Sequence, residues 1–295
     1  MTVIETKSNR SDFIIRPLQP SDLVHLGDLQ PPDWGPIGPI FRSFLSRPHC
    51  SALALDDLSG RLLGVANGSR FGSAGWVGPI IVAPAARGRG FGTALTQAVL
   101  DELTAAGCVS IALLATELGA PIYRRLGFME AGSYSFMARS QIAAEEASVP
   151  DPAKATPAGC TVRLEPLQPS DSGTVLALDR IANGFDRSLV YEGVQLAGWA
   201  ARDMHTGKLR GYYAQHAGEG PVIAVDEEAG IALLKMKLAN GNVDRAVLPA
   251  GNEPGVQFLL TEGWEIKRTA LRMTLGPPLK WRPQFIYHRI SGFWG

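Results

Sequence analysis

Cysteine is scarce in these 295 residues: the three present, Cys50, Cys108 and Cys160, are scattered, odd in number and free of CxxC spacing. A disulfide scaffold or a cysteine-ligated zinc site is not expected, and a reducing cytoplasm fits best. Excess charge is missing too, with 28 Lys and Arg against 28 Asp and Glu and no basic run. That argues against a protein built to neutralise many polynucleotide phosphates, though not against one small anionic ligand in a pocket. No window approaches the roughly 20 apolar residues that span a bilayer. The polar segment Met1 to Ser11 lacks the apolar stretch of a secretory signal. Neither nucleic acid, membrane nor metal is therefore expected as a partner.

What is present is globular in character, 45% apolar and 19% charged, over a length that suits two domains better than one core. An internal repeat marks them. The hexapeptide PLQPSD at Pro17 to Asp22 recurs at Pro166 to Asp171. Gly78-Pro79-Ile80-Ile81-Val82 is echoed by Gly220-Pro221-Val222-Ile223-Ala224, and Gly127-Phe128 with Met137 by Gly263-Trp264 with Met273. Three landmarks in one order indicate two related domains, not a short-period solenoid. Between them, the stretch Gln141 to Gly159 is rich in Ala, Pro and charge, which is linker composition. The expected division is an N-terminal domain at 1–142, a linker at 143–159 and a C-terminal domain at 160–295.

In the first half, Phe13 to Arg16 reads as a strand, and Ser21 or Asp22 is placed to cap a helix through Leu23, Leu26 and Leu29. Pro31 to Pro39 is too dense in Pro and Gly for regular structure. Strands are expected at Ser51 to Leu55, Leu62 to Ala66, and Trp76 to Val82, the last unbroken in its apolar character as at a sheet centre. Phe91, Leu95, Val99 and Leu103 recur every four residues and form one buried helical stripe, ended at Gly107. Ser110 to Ala115 returns as a strand. Gly119 to Leu126 is a short helix, and Phe136 to Ala138 belongs to the last strand of the domain.

The chemistry sits where the Trp76 to Val82 strand meets the patterned helix, in Val82-Ala83-Pro84-Ala85-Ala86-Arg87-Gly88-Arg89-Gly90-Phe91-Gly92-Thr93. Glycines let backbone approach a ligand, and a helix starting there aims unpaired N–H groups and its positive dipole end into the corner. Arg87 and Arg89 add positive charge, so the corner suits a phosphate or pyrophosphate. A Walker loop is ruled out because no Lys occurs here, and a Rossmann GxGxxG fails because its third glycine falls on Thr93.

This unit resembles the central motif of the GNAT superfamily of N-acetyltransferases, a strand ending in Val-x-Pro followed by Arg-Gly-x-Gly-x-Gly and a helix. The next family motif is also matched, by Leu113-Leu114-Ala115 and then Tyr123-Arg124-Arg125-Leu126-Gly127-Phe128. The resemblance covers Phe13 to Arg139. It implies a fold of class α/β (α+β), a mixed, mostly antiparallel twisted sheet flanked by helices with a central splayed parallel strand pair. It also implies acetyl-CoA as cosubstrate. Backbone from Gly88 to Thr93 would hold the pyrophosphate, with Arg87, Gly88, Arg89, Gly90, Phe91, Gly92 and Thr93 as cofactor-binding residues. Backbone at Ile81 and Val82 would pair with the pantetheine arm and polarise the thioester carbonyl. Tyr123 would protonate the departing thiolate, a transfer made feasible by phenol and thiol pKa values of about 10 and 8.5. Where many relatives carry Asn at the end of the fifth strand, this chain has Thr116, which retains hydrogen-bonding capacity toward the cofactor.

Other assignments stay open at this stage. The bland alternative for Tyr123 is an ordinary helix residue, and Arg124 and Arg125 read more readily as a solvated face than as phosphate ligands. The general base is unidentified among Glu117, Asp33 and a water relay. Asp33 and Trp34 sit in the loop where relatives bind substrate, Trp34 either walling the acceptor pocket or simply packing.

The second half reads Val225-Asp226-Glu227-Glu228-Ala229-Gly230 at the matching corner, where three carboxylates would repel a pyrophosphate. Leu260 stands three residues ahead of Gly263 where a tyrosine would be needed. Gly184-Phe185-Asp186-Arg187, the Gly220-Pro221 strand and Arg272-Met273 resemble the C-terminal domain of bacterial tandem GNAT proteins. The resemblance implies a degenerate GNAT-like domain that completes an acceptor pocket. The expected activity is acetyl transfer from acetyl-CoA to a primary amine of a small molecule. Acetylation of a protein N-terminus or lysine, and non-catalytic acyl-CoA sensing, are the alternatives. Monomer and homodimer are equally open.

Overall fold

A computed structural model describes residues 12–31, 34–139, 160–239 and 244–295. Asp33 and the linker expected at 143–159 lie outside the described residues. The chain divides into two compact units. One comprises residues up to Leu113 with Pro121–Phe128 and Leu275–Pro277; the other comprises Leu114–Ala120, Met129–Thr274 and Pro278–Gly295.

In the first unit, β1 (Phe13–Pro17), β2 (Cys50–Asp57), β3 (Leu62–Phe71) and β4 (Ala74–Val82) form an antiparallel meander. β5 (Ser110–Ala115) then runs parallel to β4. The turn between β2 and β3 is made by Asp57, whose Oδ1 accepts from the Ser59 and Arg61 amides at 2.9 and 3.0 Å. Helix α2 (Phe91–Ala105) lies on one face, with the stripe Phe91, Leu95, Val99 and Leu103 buried as its spacing requires. It packs closely on the sheet: a Cβ added at Gly68 would sit 2.8 Å from Val99 Cγ1. On β3 only glycine fits there.

Two expectations for this unit are corrected. Pro20–Leu29 is a 3-10 helix led by Gln19, not a helix capped by Ser21 or Asp22. Pro20 already fixes the first helical position, and Asp22 instead accepts the Gln19 amide at 2.7 Å as the far side of a capping box. The Pro- and Gly-rich stretch also ends in regular structure, because helix α1 (Ile37–Leu45) begins before Pro39. Proline in a first turn forfeits no hydrogen bond, and Ile37, Phe41 and Phe44 give the helix a buried face.

In the second unit, β6 (Met129–Arg139) is flanked by β11 (Arg245–Pro249) and β12 (Trp264–Leu275), both antiparallel to it. A five-stranded sheet runs in the order β13-β10-β9-β8-β7. Its strands are β7 (Val162–Pro166), β8 (Gly198–Asp203), β9 (Leu209–Ala214), β10 (Val222–Ala224) and β13 (Ile286–His288). Every recorded pairing in that sheet is antiparallel among the described residues. The splayed parallel pair expected of each half is therefore seen at β4 and β5 but not at β10, whose two neighbours are β9 and β13. Helices α4 (Ser172–Asn183), α5 (Glu227–Ala239) and α6 (Glu253–Thr261) complete the unit. Leu233 and Leu234 of α5 are buried with Trp264 and Tyr287 in its core.

Candidate active site

The site grows from the end of β4. β4 and β5 are in register from Ala74↔Ser110 to Val77↔Leu113 and no further, while Ile80 to Val82 are paired only to β3. The β3–β4 register shifts between Ala66 and Gly68 at this level. Asn67, fully buried, sits at the shift and donates to Ser69 Oγ at 3.0 Å and to the Gly78 carbonyl at 3.4 Å. The side chain thus takes over a bond that the ladder gives up. Sequence reasoning missed Asn67, although an Asn directly after the run from Leu62 to Ala66 was the available signal. The edge of β4 beyond Val77 offers backbone groups to an extended ligand lying beside it.

β4 delivers the chain to a 3-10 turn at Pro84–Ala86, and Arg87 then donates from Nε to the Val82 carbonyl at 3.2 Å. Gly88 and Gly90 adopt φ of 78° and 84°. No heavy atom lies within 4 Å of a Cβ built on either, so the left-handed backbone, not crowding, demands glycine. Gly90 is the N-cap of α2 and brings no side chain to the helix end. The first turn of Phe91, Gly92 and Thr93 therefore keeps its amides free of any side-chain cap. Phe91 contributes backbone alone, since its ring is buried against Phe13 in an edge contact at 5.4 Å. The Arg89 guanidinium lies 4.7 Å above that ring, and Arg87, Gly88, Arg89 and Gly90 are exposed. The corner is an anion site in build: uncapped helix amides, a positive dipole end and two flanking guanidiniums.

Helix α3 (Ala120–Arg125) carries Tyr123. At its end Gly127, at φ 88°, reverses the chain so that the Phe128 amide donates to the Tyr123 carbonyl at 3.0 Å. The same turn lays the Phe128 ring edge-on to Tyr123 at 5.8 Å. The Leu-Gly-Phe signature is thereby a device for fixing the tyrosine. A Cβ on Gly92 would fall 3.6 Å from Ile122 Cδ1 and 3.9 Å from Val82 Cγ2. The start of α2, the end of β4 and the residue beside Tyr123 therefore meet at one point. Tyr123 is itself partly exposed, yet desolvation pushes its hydroxyl up to about 12. It stays protonated throughout the neutral range.

The remaining expected site residues are less drawn together. Thr116 is exposed and accepts the Gly119 amide on Oγ1 at 3.2 Å, which ties down the turn entering α3. Glu117 is exposed beside it, as are Arg124 and Arg125 on the solvated side of α3. Trp34 is held by Gln30, whose Nε2 donates to the carbonyls of Trp34 and Gly35, both at 2.7 Å, while its Oε1 accepts the Ile37 amide at 3.0 Å. That glutamine, not the prolines, organises the described part of the loop.

The matching corner of the second unit is filled from within. Asp226 Oδ1 accepts the Ala229 amide at 3.0 Å at the head of α5, and both carboxylate oxygens bind Arg210 at 2.8 Å. Glu228 takes the Thr161 amide at 2.6 Å. A carboxylate of the chain thus occupies the helix end that the first unit leaves uncapped. Among the described residues, no group of three or more His, Cys, Asp or Glu is placed to hold a metal. No helix among them is long and apolar enough to cross a membrane.

Residues 22–128 match the model of the acetyltransferase (GNAT) family. The matched stretch takes in β2 to β5, the glycine-rich corner and Tyr123. Solved structures extend the likeness to nearly the whole chain. A protein of Pyrococcus horikoshii described as a candidate acetyltransferase is 18% identical, with 99% of each chain covered and a TM-score of 0.75. A GCN5-related N-acetyltransferase of Sphaerobacter thermophilus is 16% identical, covering 93% of this chain and 100% of its own, at 0.66. A tandem GNAT protein from the clavulanic acid biosynthesis pathway is 15% identical, covering 90% of this chain and 99% of its own, at 0.58. At these identities the likeness is one of fold, and it is the two-domain fold of a tandem GNAT protein. No curated protein matches the chain.

Proposed function

We propose that this protein transfers an acetyl group from acetyl-CoA to a primary amine of a small molecule, by direct attack with both substrates bound. The observation that carries the reading is the uncapped, glycine-led start of α2 set against the end of β4, with Tyr123 anchored beside it. Acetyl-CoA supplies an activated thioester. The amides from Gly88 to Thr93, with Arg87 and Arg89, would hold its pyrophosphate, and Ile81 and Val82 would hold its extended arm by backbone pairing. Thr116 is assigned to the same ligand. An amide at the β4 edge would stabilise the charge that grows on the carbonyl oxygen during attack.

Tyr123 would give its proton to the departing sulfur. Burial pushes that hydroxyl up to about 12, so the tyrosine carries its proton at neutral pH when the sulfur departs. An amine with a free pKa near 10.4 must first lose its own proton, and Glu117, Asp33 or water would take it. Trp34 would border the acceptor. The second half would hold no coenzyme, because Asp226 already occupies the helix end. The three free cysteines of the chain suit the reducing cytoplasm that completes this reading.

The test is release of free thiol from acetyl-CoA across a panel of small primary amines, a lysine-containing peptide and a peptide with a free N-terminus. Amine-dependent thiol release that falls at least tenfold in Tyr123→Phe, with coenzyme affinity retained, supports the proposal. Full turnover in that variant would remove Tyr123 from the chemistry. Acetyl-CoA binding without transfer to any acceptor would favour a sensor.

A further inference from the structure

The second unit holds a cavity of about 290 Å³ on the face of its five-stranded sheet that α4 covers, open to solvent on one side. Its walls are mainly apolar, from Val175 and Leu176 on α4 and from Val194 and Leu196 on the stretch before β8, with Ser172, Ser188 and Gln195 as neutral polar neighbours. Tyr191 lines it as well and is immobilised from behind. The Tyr191 hydroxyl donates to Asp179 Oδ2 at 2.8 Å and lies 2.9 Å from the Tyr212 hydroxyl. Asp179 is gripped by Arg187 through Nε at 2.8 Å and Nη2 at 2.9 Å, and both members of this pair are buried. The ion pair neutralises itself, so it rigidifies the wall without adding net charge to the cavity.

One charged side chain lines the cavity, that of Glu192; it is exposed and makes no ion pair among the described residues. No Lys or Arg lines it. An apolar hollow with one uncompensated carboxylate and a fixed phenol ring has a definite complement: a cation carrying an apolar body. The volume lies just below the range of sites for drug-sized ligands, about 300–1,000 Å³, which limits the occupant to a small molecule.

We propose that this cavity binds a small organic ammonium compound, its apolar body between α4 and the Val194–Leu196 stretch and its charged head at Glu192. The site lies in the half whose coenzyme corner is filled by Asp226. It stands whether or not the first half transfers acetyl groups.

The experiment uses the full chain, carbon-13 labelled at Val and Leu methyls, titrated with 2-phenylethylammonium in the absence of any coenzyme. The uncharged 2-phenylethanol and the anionic 3-phenylpropionate serve as controls. Saturable shifts confined to the methyls of Val175, Leu176, Val194 and Leu196 are expected. The ammonium should bind roughly threefold to fivefold tighter than the alcohol, the size of one exposed charge pair, and the carboxylate weakest. Glu192→Gln should bring ammonium and alcohol to equal affinity; because Glu192 is exposed, this variant tests charge without burdening the fold. Leu196→Trp should abolish the shifts with all three probes. Shifts at other methyls, no shift up to about 10 mM ammonium, or a carboxylate that binds as well as the ammonium would overturn the proposal. Because the readout contains no acetyl-CoA, its outcome is separate from that of the thiol-release assay.

Discussion

Arg16 and Glu165 hold the same place, one residue before the proline that ends the first strand of each copy, and carry opposite charge. Across the sheet the exchange is completed: Arg16 pairs in register with Ala54 and Glu165 with Ala200, which makes Asp56 and Arg202 equivalents two residues on. In each copy one arginine bridges two carboxylates. Arg16 binds Asp22 and Asp56, both at 2.7 Å. Arg202 binds Asp171 at 2.6 Å and also Glu165. Asp22 and Asp171, the last residues of the repeated hexapeptide, meanwhile accept the Gln19 and Gln168 amides at 2.7 and 2.9 Å. The repeat is thus a structural device whose charges have been swapped between strands.

A charge-swapped first copy should therefore fold. Arg16→Glu and Asp56→Arg should each cost about 1–2 kcal/mol, and together they should recover at least half of the summed loss. Urea unfolding of the two single variants and the double variant checks this coupling. A double variant no better than the worse single would show that the copies are not equivalent.

The same device has a pH signature. Hydrogen bonding from Arg16 holds the Asp22 carboxyl below the usual range. Its stabilisation is therefore present above the unfolded value near 3.9 and is lost as pH falls through the lower folded value. In acid melts, the slope of Tm against pH below about 4 should be shallower in Asp22→Asn than in the parent. Equal slopes would place the acid sensitivity elsewhere.

Lys237 works in the opposite half of the pH scale. Its ammonium is buried and donates to the Glu219 carbonyl at 2.6 Å, and desolvation lowers its pKa to about 8. Folding stability should rise with pH between about 8 and 10.4, by about 3 kcal/mol at most, because the unfolded lysine holds its proton longer. Lys237→Met should flatten that rise. A parent protein with no rise over this interval would mean that water reaches the ammonium.

The glycines of the corner divide by cause. Gly90→Ala must place an alanine at φ 84° and should cost about 1–2 kcal/mol of stability. Gly92 has ordinary backbone, and an added Cβ meets Ile122 at a normal 3.6 Å. Gly92→Ala should therefore stay within about 0.5 kcal/mol of the parent while weakening acetyl-CoA binding at least tenfold. Thermal melts with and without acetyl-CoA separate the two effects. Undiminished affinity in Gly92→Ala would move the ligand away from the start of α2.

Much of this was legible in the sequence wherever the signal was local and periodic. The four-residue stripe of α2, the left-handed Gly107 at its end and the strand from Ser110 to Ala115 follow from spacing alone. Helix α1 was hidden because Pro39 disguises a first turn that has no need of its N–H groups. The partners of β6 were hidden for a different reason. Arg245 and Trp264, which pair with Ala138 and Arg139, lie more than a hundred residues on, and nothing in a strand's own pattern names a partner so distant. At the site, the Gly-rich corner and Tyr123 were readable as motifs, whereas Asn67 and Gln30 act through single side-chain bonds that leave no period.

Acetyl-CoA binding to the full chain, measured by calorimetry on the parent and on Gly90→Glu, tests the central claim most directly. One site per chain is expected in the parent, with binding lost in Gly90→Glu while the melting transition persists. Two sites per chain, or affinity that survives a carboxylate at the head of α2, would contradict the assignment of coenzyme to the first half alone.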